Sequence, residues 1–368
     1  LDGQRKNGKF RQITPKGGVD FYMDFMDGSA GWSDAGVLIP YRIYKRYGDE
    51  KILENSYAAM KKYADFKIKT LGKWYPTAVR TGIDRKYKKY ISNYGQSYGE
   101  WAEPTEVHIT GFKDFACPHP EETTAYIVYM LQTMAEIAEV LGKAEDQKHF
   151  SEYAEKAKIG YGKLIECPKF SLDTDRQAKL VRPLYMGLLD EKQTEFAKKR
   201  LITALEHYDW RLGTGFLSTP FILYVLEDID VEYAYRLLEN EQMPGWLFMP
   251  KMNANTIWES WEGTQAQGGI ASLDHYSKGA VLEWVVSEMC GIQVSGENEF
   301  KIAPKVGGHF TFAKCEYKSV YGTVKSDWER RNGETTYKIV IPANTRAKVI
   351  LPDGEKTLTA GEYEFTVN

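Results

Sequence analysis

Apolar residues recur every three or four positions over several long stretches of this chain, which is the spacing of an amphipathic helix. The stretch from Asp34 to Gly48 begins with a residue suited to a helix N-cap and ends with one suited to the left-handed C-terminal position. The next stretch, 49–69, should form a helical hairpin with it. Further helices are predicted over 121–141, 143–164, 175–187, 190–207, 216–226, 230–240 and 276–290.

Helices that follow one another in pairs, separated by aromatic-rich loops, favour a toroid of inner and outer helices over a four-helix bundle. After Gly291 the period changes to two, as in Thr336-Tyr-Lys-Ile-Val-Ile, and turn signals at 332–333 and 353–354 would close hairpins. We therefore predict a mainly helical domain over 1–290 and a small β-sandwich domain over 291–368.

Composition narrows the function classes. A chain of 368 residues suits two hydrophobic cores. The net charge of −3, with both signs interspersed, lacks the footprint of a nucleic-acid binder, and no apolar run is long enough to span a membrane. The four cysteines have no CxxC spacing, so free thiols are expected rather than a zinc site or a disulfide framework. They are Cys117, Cys167, Cys290 and Cys315.

Two further features of the sequence concern ligands and origin. Aromatic residues reach 14%, and aromatic faces stack on sugar rings as well as packing cores, which favours a glycan binder. The chain begins at Leu1 with neither an initiator Met nor a positively charged signal region. It is therefore expected to be a mature form or a fragment. The terminus does not reveal the compartment, for which bacterial cytoplasm or periplasm is the expectation.

Three loops between the predicted helices place Trp near carboxylates. They are Asp27-Gly-Ser-Ala-Gly-Trp-Ser-Asp34, Tyr98-Gly-Glu-Trp-Ala-Glu-Pro104 and Thr256-Ile-Trp-Glu-Ser-Trp-Glu-Gly263. Sugar sites combine ring stacking with hydrogen bonds to hydroxyl groups in this way, and glycoside hydrolysis normally needs two carboxyl groups. No HExxH or Gly-rich phosphate loop occurs, so zinc proteases and nucleotide enzymes lack support.

Glu259 is the first candidate for one of the two carboxyls, because Trp258 and Trp261 would supply an apolar wall beside it. The alternative is that both Trp residues belong to the core and Glu259 is a hydrogen-bonded structural acid. Asp34 has a structural alternative as an N-cap, although it could also orient a sugar hydroxyl.

Two further candidates carry structural alternatives of their own. Glu100 and Trp101 could simply form a surface turn with one packed aromatic residue. His275 could be a satisfied buried histidine, and its functional role would be to hold a hydroxyl group.

At these loops the chain resembles the family 78 α-L-rhamnosidases over nearly its whole length. The stretches that carry the resemblance are Gly31-Trp-Ser-Asp-Ala35, Val37-Leu-Ile-Pro40, Tyr47-Gly-Asp49, Gly99-Glu-Trp101, Leu212-Gly-Thr-Gly-Phe-Leu-Ser-Thr-Pro220, Thr256-Ile-Trp-Glu-Ser-Trp261, Leu273-Asp-His-Tyr276 and Gly279-Ala280. The resemblance implies an (α/α)6 toroid of the six-hairpin glycosidase type with a C-terminal β-sandwich. It also implies removal of terminal α-L-rhamnose from rhamnosides by an inverting, two-carboxylate mechanism.

The resemblance assigns roles position by position. Glu259 matches the general base, Trp32 and Trp101 match aromatic residues that line the rhamnose pocket, and His275 matches a sugar-binding histidine. Asp34 lies in the Trp32 loop, and Trp258 and Trp261 flank the base, so all three are candidate substrate contacts. The family usually reads Gly-Asp-Trp where this chain has Glu100.

The general acid is where the chain departs from the family. The family's Arg-Asp-Glu-Arg-containing acid segment does not occur in this sequence, and the first helices of the barrel are expected to be missing. An absent N-terminal part of the same enzyme is therefore an expected partner. We predict little or no activity for this polypeptide alone, unless Asp27, Asp34 or Glu100 substitutes as the acid.

The partner predicted by the resemblance is a rhamnose-containing oligosaccharide or glycoside, with no cofactor, no metal, no nucleic acid and no membrane. Scattered acids such as Glu103, Glu106 and Asp114 have no calcium-loop spacing. Two other interpretations remain: another inverting (α/α)6 glycosidase, and a catalytically dead sugar-binding relative. A structural or partner-binding role is a third, and an exposed apolar face would be its signature.

Overall fold

The computed structural model describes residues 3–15, 17–18, 21–73, 75–76, 78–109, 111, 113–114, 117–265 and 271–367. These residues form two compact units. The first comprises Leu1–Tyr44, Asp49–Asp209 and Gly213–Ser218, and the second comprises Lys45–Gly48, Trp210–Leu212 and Thr219–Asn368. The predicted domain boundary between residues 290 and 291 stays a prediction.

The first part of the chain is helical at the predicted places. Its helices are α1 (Ala35–Tyr47), α2 (Glu50–Ile68), α3 (Pro120–Val140), α4 (Ala144–Ile165), α5 (Gln177–Tyr185) and α6 (Glu191–His207). Local chemistry fixes their ends. Asp49 caps α2 by accepting from the amide of Lys51, Asp190 and Gln193 form a capping box on α6, and Gly48 and Gly142 follow helices with positive φ.

Helices α3 and α4 are the most closely packed helical pair and differ in burial. Most positions of α3 are buried, and those that reach the surface, such as Glu136 and Glu139, recur at helical spacing on one face. Helix α4 buries one face, whose residues recur at intervals of three or four. These are Phe150, Ala154, Ala157, Tyr161 and Leu164. The predicted hairpin of these two helices is confirmed.

The second unit carries shorter helices than the sequence predicts. They are α7 (Thr219–Glu227), α8 (Val231–Leu238), α9 (Phe248–Lys251) and α10 (Val281–Trp284). The helix predicted over 276–290 is a succession of a 3-10 turn (Ser277–Ala280), α10 and a π-helix (Val285–Met289). The helix predicted to begin at residue 216 begins at Thr219, because the backbone before it makes other hydrogen bonds, described below.

The C-terminal part is a six-stranded sheet. Its strands are β1 (Ile292–Gly296), β2 (Glu299–Ile302), β3 (Phe312–Ser319), β4 (Gly322–Arg331), β5 (Glu334–Leu351) and β6 (Gly354–Val367). The order is β1-β2-β5-β4-β3, and β6 pairs with β5. Asn332, Gly333 and Gly354 have positive φ, so the two predicted hairpin turns, β4–β5 and β5–β6, are confirmed.

One strand joins the two ends of this sheet. The first half of β5 pairs antiparallel with β4, and residues 346–349 pair in parallel with β2. The change falls at 342–345, where β5 and β6 also shift register and where Pro342 cannot donate to a neighbouring strand. Trp328 of β4 is fully buried, and its indole N–H donates to the carbonyl of Met289 (2.9 Å).

Candidate functional site

Four aromatic rings of the first unit form a partly exposed cluster, which we call the ring cluster: Trp32, Tyr98, Trp101 and Phe216. Ring centroids are 4.9 Å apart for Trp32 and Tyr98, 5.7 Å for Trp32 and Phe216, and 5.9 Å for Tyr98 and Trp101. Two of these residues, Trp32 and Trp101, are predicted site residues. Rings held in tilted and edge-on contact leave faces that can stack on a sugar.

Asp34 supports the loop that carries Trp32. Its carbonyl accepts from the amides of Val37 and Leu38, so α1 starts where predicted. Its carboxylate does not cap α1, and that prediction is wrong, because one oxygen accepts from the amide of Gly31 and the other from the hydroxyl of Tyr63 (2.8 Å). Asp34 has no exposed surface. These contacts favour a positioning role over the predicted substrate contact.

Burial makes this carboxylate a high-energy group unless a cation balances it. Burial raises the pKa of Asp34, and the nearby ammonium of Lys67 opposes that rise. Burial also lowers the pKa of Lys67 to about 8, although Asp34 acts in the other direction. The Lys67 ammonium donates to the carbonyl of Gly28 (3.1 Å), in the same loop as Trp32. The two buried charges therefore tie α2 to the Trp32 loop.

Glu100 is a structural acid in this arrangement. Its carboxylate accepts from the amides of Gly215 (3.1 Å) and Ser218 (2.7 Å), from the hydroxyl of Ser218 (2.9 Å), and from Nη2 of Arg182 (2.8 Å). The segment 213–218 is thus held in a non-helical conformation, which explains the late start of α7. Four donors occupy this buried carboxyl group and hold it away from solvent, which does not favour Glu100 as a substitute general acid.

Segment 213–218 approaches the Trp101 loop so closely that only glycine fits at position 215. A Cβ on Gly215 would lie 2.2 Å from the carbonyl oxygen of Trp101. That same oxygen accepts from the amide of Phe216 (2.8 Å). Phe216 therefore enters the ring cluster through backbone pairing with the loop of Trp101.

We expect Gly215→Ala to destabilise the chain by about 2–3 kcal/mol, because the backbone must move to relieve the overlap. The measurement is the urea midpoint of unfolding. Gly162→Ala is the matched control, since nothing lies within 4 Å of a Cβ there and alanine is the better helix former within α4. Equal midpoints for Gly215→Ala and the unmodified chain would contradict the close approach.

Asp27, the other candidate substitute acid, also forms an ion pair and a hydrogen bond within the chain. Its carboxylate forms an ion pair with Nε of Arg5 and accepts from the amide of Gln12 (2.9 Å). The Asp27 side chain is 2% exposed. A general acid must reach the leaving group, whereas both oxygens of this buried carboxyl group already contact the chain itself. The geometry therefore does not favour Asp27 as the acid.

In the second unit, Glu259 lies on a segment that is hydrogen-bonded to residues 272–275. The amide of Glu259 donates to the carbonyl of Ser272 (2.9 Å), and the amide of Ser272 donates to the Glu259 carboxylate (2.9 Å). One step along, the amide of His275 donates to the carbonyl of Ile257 (2.7 Å). Glu259 and His275 are both half-buried, and the pairing fixes their positions on adjacent segments.

The rings beside Glu259 differ in exposure. Trp261 is 1% exposed, with the ring of Trp246 at 5.9 Å and the ammonium of Lys278 at 4.5 Å from its ring. It is a core residue, as the structural alternative held, and offers no face to a sugar. Trp258 is half-buried against Phe248 at 6.3 Å, and Gly263 lies so close that a Cβ would overlap its ring.

Tyr98, Phe216 and Arg182 were not recognised as candidates from the sequence. Tyr98 stands three residues before Trp101 and could have been found by the aromatic content of its loop. Phe216 lies within the helix predicted over 216–226, whereas in the structure it precedes that helix. Arg182 is one cation on the apolar face of α5, a pattern that could have indicated a buried ion pair.

Among the described residues, no three or more His, Cys, Asp or Glu side chains are placed to hold a metal ion. None of the helices there combines the length and the apolarity needed to cross a bilayer.

Comparison with known protein families decides the assignment. The model of the bacterial alpha-L-rhamnosidase six-hairpin glycosidase domain matches residues 1–289, and the model of the bacterial alpha-L-rhamnosidase C-terminal domain matches residues 293–366. This chain belongs to the bacterial α-L-rhamnosidase family. The predicted fold class, a six-hairpin glycosidase domain followed by a C-terminal β domain, is confirmed.

Individual relatives agree with this family assignment. An α-L-rhamnosidase of Formosa agariphila is 32% identical over 348 residues, which are 92% of this chain and 36% of that protein. A second, of Streptomyces avermitilis, is 28% identical over 359 residues, or 95% of this chain and 32% of that protein. The chain thus spans about a third of the length of these rhamnosidases.

Solved rhamnosidase structures share the fold. The crystal structure of Streptomyces avermitilis α-L-rhamnosidase complexed with L-rhamnose superposes with a TM-score of 0.79 at 26% identity, covering 100% of this chain and 35% of that one. The structure of α-L-rhamnosidase from Dictyoglumus thermophilum gives a TM-score of 0.81 at 25% identity, and the match covers 99% of this chain and 42% of that one.

Proposed function

We propose that this chain is the catalytic region of an α-L-rhamnosidase that removes terminal α-L-rhamnose from rhamnose-containing oligosaccharides or glycosides. The observation that carries the proposal is the ring cluster. It places Trp32 and Trp101, from two family motifs, in contact with Tyr98 through partly exposed rings. Such a cluster suits the apolar face of a deoxy sugar, whose methyl group and ring C–H bonds pack on aromatic carbon.

Glu259 is proposed as the general base of an inverting reaction. In that role its carboxylate takes a proton from water while the water attacks the anomeric carbon from the face opposite the leaving group. The amide of Ser272 orients the carboxylate without removing its capacity to accept a proton. The inverting mechanism requires a second carboxyl about 6.5–9.5 Å away. His275 is proposed to hold a sugar hydroxyl.

The three candidates for the second carboxyl group, the general acid, already accept hydrogen bonds from the protein. Asp27, Asp34 and Glu100 are each buried, and each carboxyl group already accepts from amide, hydroxyl or guanidinium donors. We therefore propose that none of them protonates the leaving group. The general acid is expected to be supplied by a segment outside this sequence. The chain alone should then favour substrates whose leaving group departs without a proton.

The test is rhamnose release from two substrates by this chain, with L-rhamnose binding measured in a calorimeter. We expect para-nitrophenyl α-L-rhamnoside to be cleaved at least about a hundredfold faster than methyl α-L-rhamnoside, since para-nitrophenolate leaves unassisted. Rhamnose binding without cleavage of either substrate would instead identify a sugar-binding relative. Absence of both binding and cleavage would exclude the proposal, and cleavage of other glycosides in preference would assign a different inverting glycosidase.

We expect Trp32→Ala to weaken L-rhamnose binding at least about tenfold, because the central ring of the cluster is lost. Calorimetric titration at fixed pH measures the change. Phe196→Ala is a suitable control, since Phe196 is 47% exposed on α6 and lies outside the cluster. If both variants bound rhamnose equally well, the ring cluster would not be the sugar platform.

A further inference from the structure

The first unit contains a cavity of about 260 Å³, which plays no part in the function proposed above. It is bordered by the start of α3, by the turn Pro168–Phe170 and by α5. Trp32 and Trp101 do not line it. Its walls combine apolar side chains such as Val79 and Pro118 with charged ones. The volume lies near the lower end of ligand pockets and suits one sugar ring.

The carboxylates at this cavity already have donors. Both oxygens of Glu121 accept from Nη1 of Arg182, at 2.9 and 2.8 Å, and one also accepts from the hydroxyl of Tyr161 (3.1 Å). Glu122 accepts from the hydroxyl of Ser97 (3.2 Å), and burial raises the pKa of Glu122, which favours its neutral form. The acids here therefore do not call for a cationic ligand.

Arg176 at the same cavity is paired with Glu103, but other cationic groups there have donors that lack acceptors within the described ranges. Nε of Arg182 is buried and has no acceptor in the described part of the chain. The Lys179 ammonium has one long contact, 3.4 Å to the carbonyl of Lys169, and forms no ion pair there. Burial lowers the pKa of Lys179. The Lys169 ammonium lies 5.6 Å from the centroid of the Phe170 ring, also without a carboxylate partner among the described residues.

A cavity with satisfied acceptors and spare cationic donors is suited to an anion, because a bound carboxylate would supply the acceptors that Lys169 and Lys179 lack. Apolar surface beside these donors adds contact for carbon atoms, which a bare inorganic anion would not use. We propose that this cavity binds an acidic sugar, a pyranose that carries one carboxylate. That this sugar belongs to the rhamnoside substrate rests on the proposed function.

The experiment is calorimetric titration of this chain with sodium D-glucuronate, D-glucose and sodium sulfate at neutral pH. Glucuronate and glucose differ at one carbon, a carboxylate in place of CH2OH. We expect glucuronate to bind at least about tenfold more tightly than glucose and more tightly than sulfate. Lys179→Gln should weaken glucuronate binding at least about tenfold, and Lys192→Gln, an exposed lysine on α6, should leave it unchanged.

Each outcome decides the question. Equal affinity for glucuronate and glucose would overturn the proposal, and tight sulfate binding without glucuronate binding would indicate an adventitious ion only. Thermal unfolding of Lys179→Gln, with Lys169→Gln as a second variant, separates lost binding from lost folding. Rhamnose release is read separately, so glucuronate binding without rhamnosidase activity would leave the subsite standing, and the reverse result would remove the subsite alone.

Discussion

Replacing Arg182 by methionine should lower the free energy of unfolding by about 3–5 kcal/mol, the usual cost of removing one partner from a buried ion pair. Arg182 is 2% exposed and donates to both Glu121 and Glu100, with Glu122 at 3.9 Å. Without the guanidinium, these buried carboxyl groups would have no cation at hydrogen-bonding distance among the residues that the structure describes. Urea unfolding of Arg182→Met measures the loss.

The loss should depend on pH with a definite sign. In Arg182→Met the pKa of Glu122, which burial already raises, would rise further above its value in the unfolded chain, because a cation that opposes the rise is gone. The penalty is then fully present well above that raised pKa and shrinks as pH falls through it, since protonation neutralises the acid. We expect the deficit to be larger at pH 8 than at pH 5.

Two further variants test whether the loss of unfolding free energy comes from the buried position of Arg182. Adding Glu121→Gln to Arg182→Met should recover part of the stability, because one uncompensated charge is removed. Arg346→Met should cost less than about 1 kcal/mol, since Arg346 forms an exposed ion pair with Glu299. Similar losses for Arg182→Met and Arg346→Met would show that the buried network adds nothing special.

Glu259→Gln should reduce turnover of para-nitrophenyl α-L-rhamnoside by about 10²–10⁴-fold, the range typical of a lost general base. This substrate is chosen because its leaving group needs no acid, so the loss reports on water activation. Sodium azide should restore part of the rate, because azide attacks without losing a proton. Identification of β-L-rhamnosyl azide as the product would show inversion.

Glu262→Gln is the control for Glu259→Gln, since Glu262 lies three residues away in the same loop. Its turnover should stay within about threefold of the unmodified chain. A large loss in both variants would point to a distorted loop. An unchanged rate in Glu259→Gln would reject Glu259 as the base.

The sequence predicted most of the helices and the strand region because their periodicity and end signals are local. Asp49, Asp190 and Gly142 mark helix ends in the sequence and in the structure alike. The missed features depend on contacts between distant segments. The start of α7 is set by Glu100, which draws the amides of Gly215 and Ser218 away from a helix, and nothing near residue 216 indicates this.

The candidate site shows the same contrast between local signals and contacts made by distant segments. Trp32 and Trp101 were predicted because their motifs are contiguous. The sequence favours a structural role for Asp34 and leaves Trp261 undecided between core and site, because burial is a property of the folded chain and not of a loop sequence. Asp34 accepts hydrogen bonds from Gly31 and from Tyr63, which lies on α2. A carboxylate beside Trp in a loop can therefore be a structural acid.

The ring cluster also has a place in the order of folding. Trp32, Trp101 and Phe216 lie far apart in the sequence, and Phe216 reaches the others only when Glu100 holds segment 213–218. Bringing together residues that are far apart in the sequence costs chain entropy and is slow. These contacts should therefore form after the hairpin of α3 and α4, whose contacts are local. During synthesis, a nascent chain would carry folded helices before the ring cluster forms.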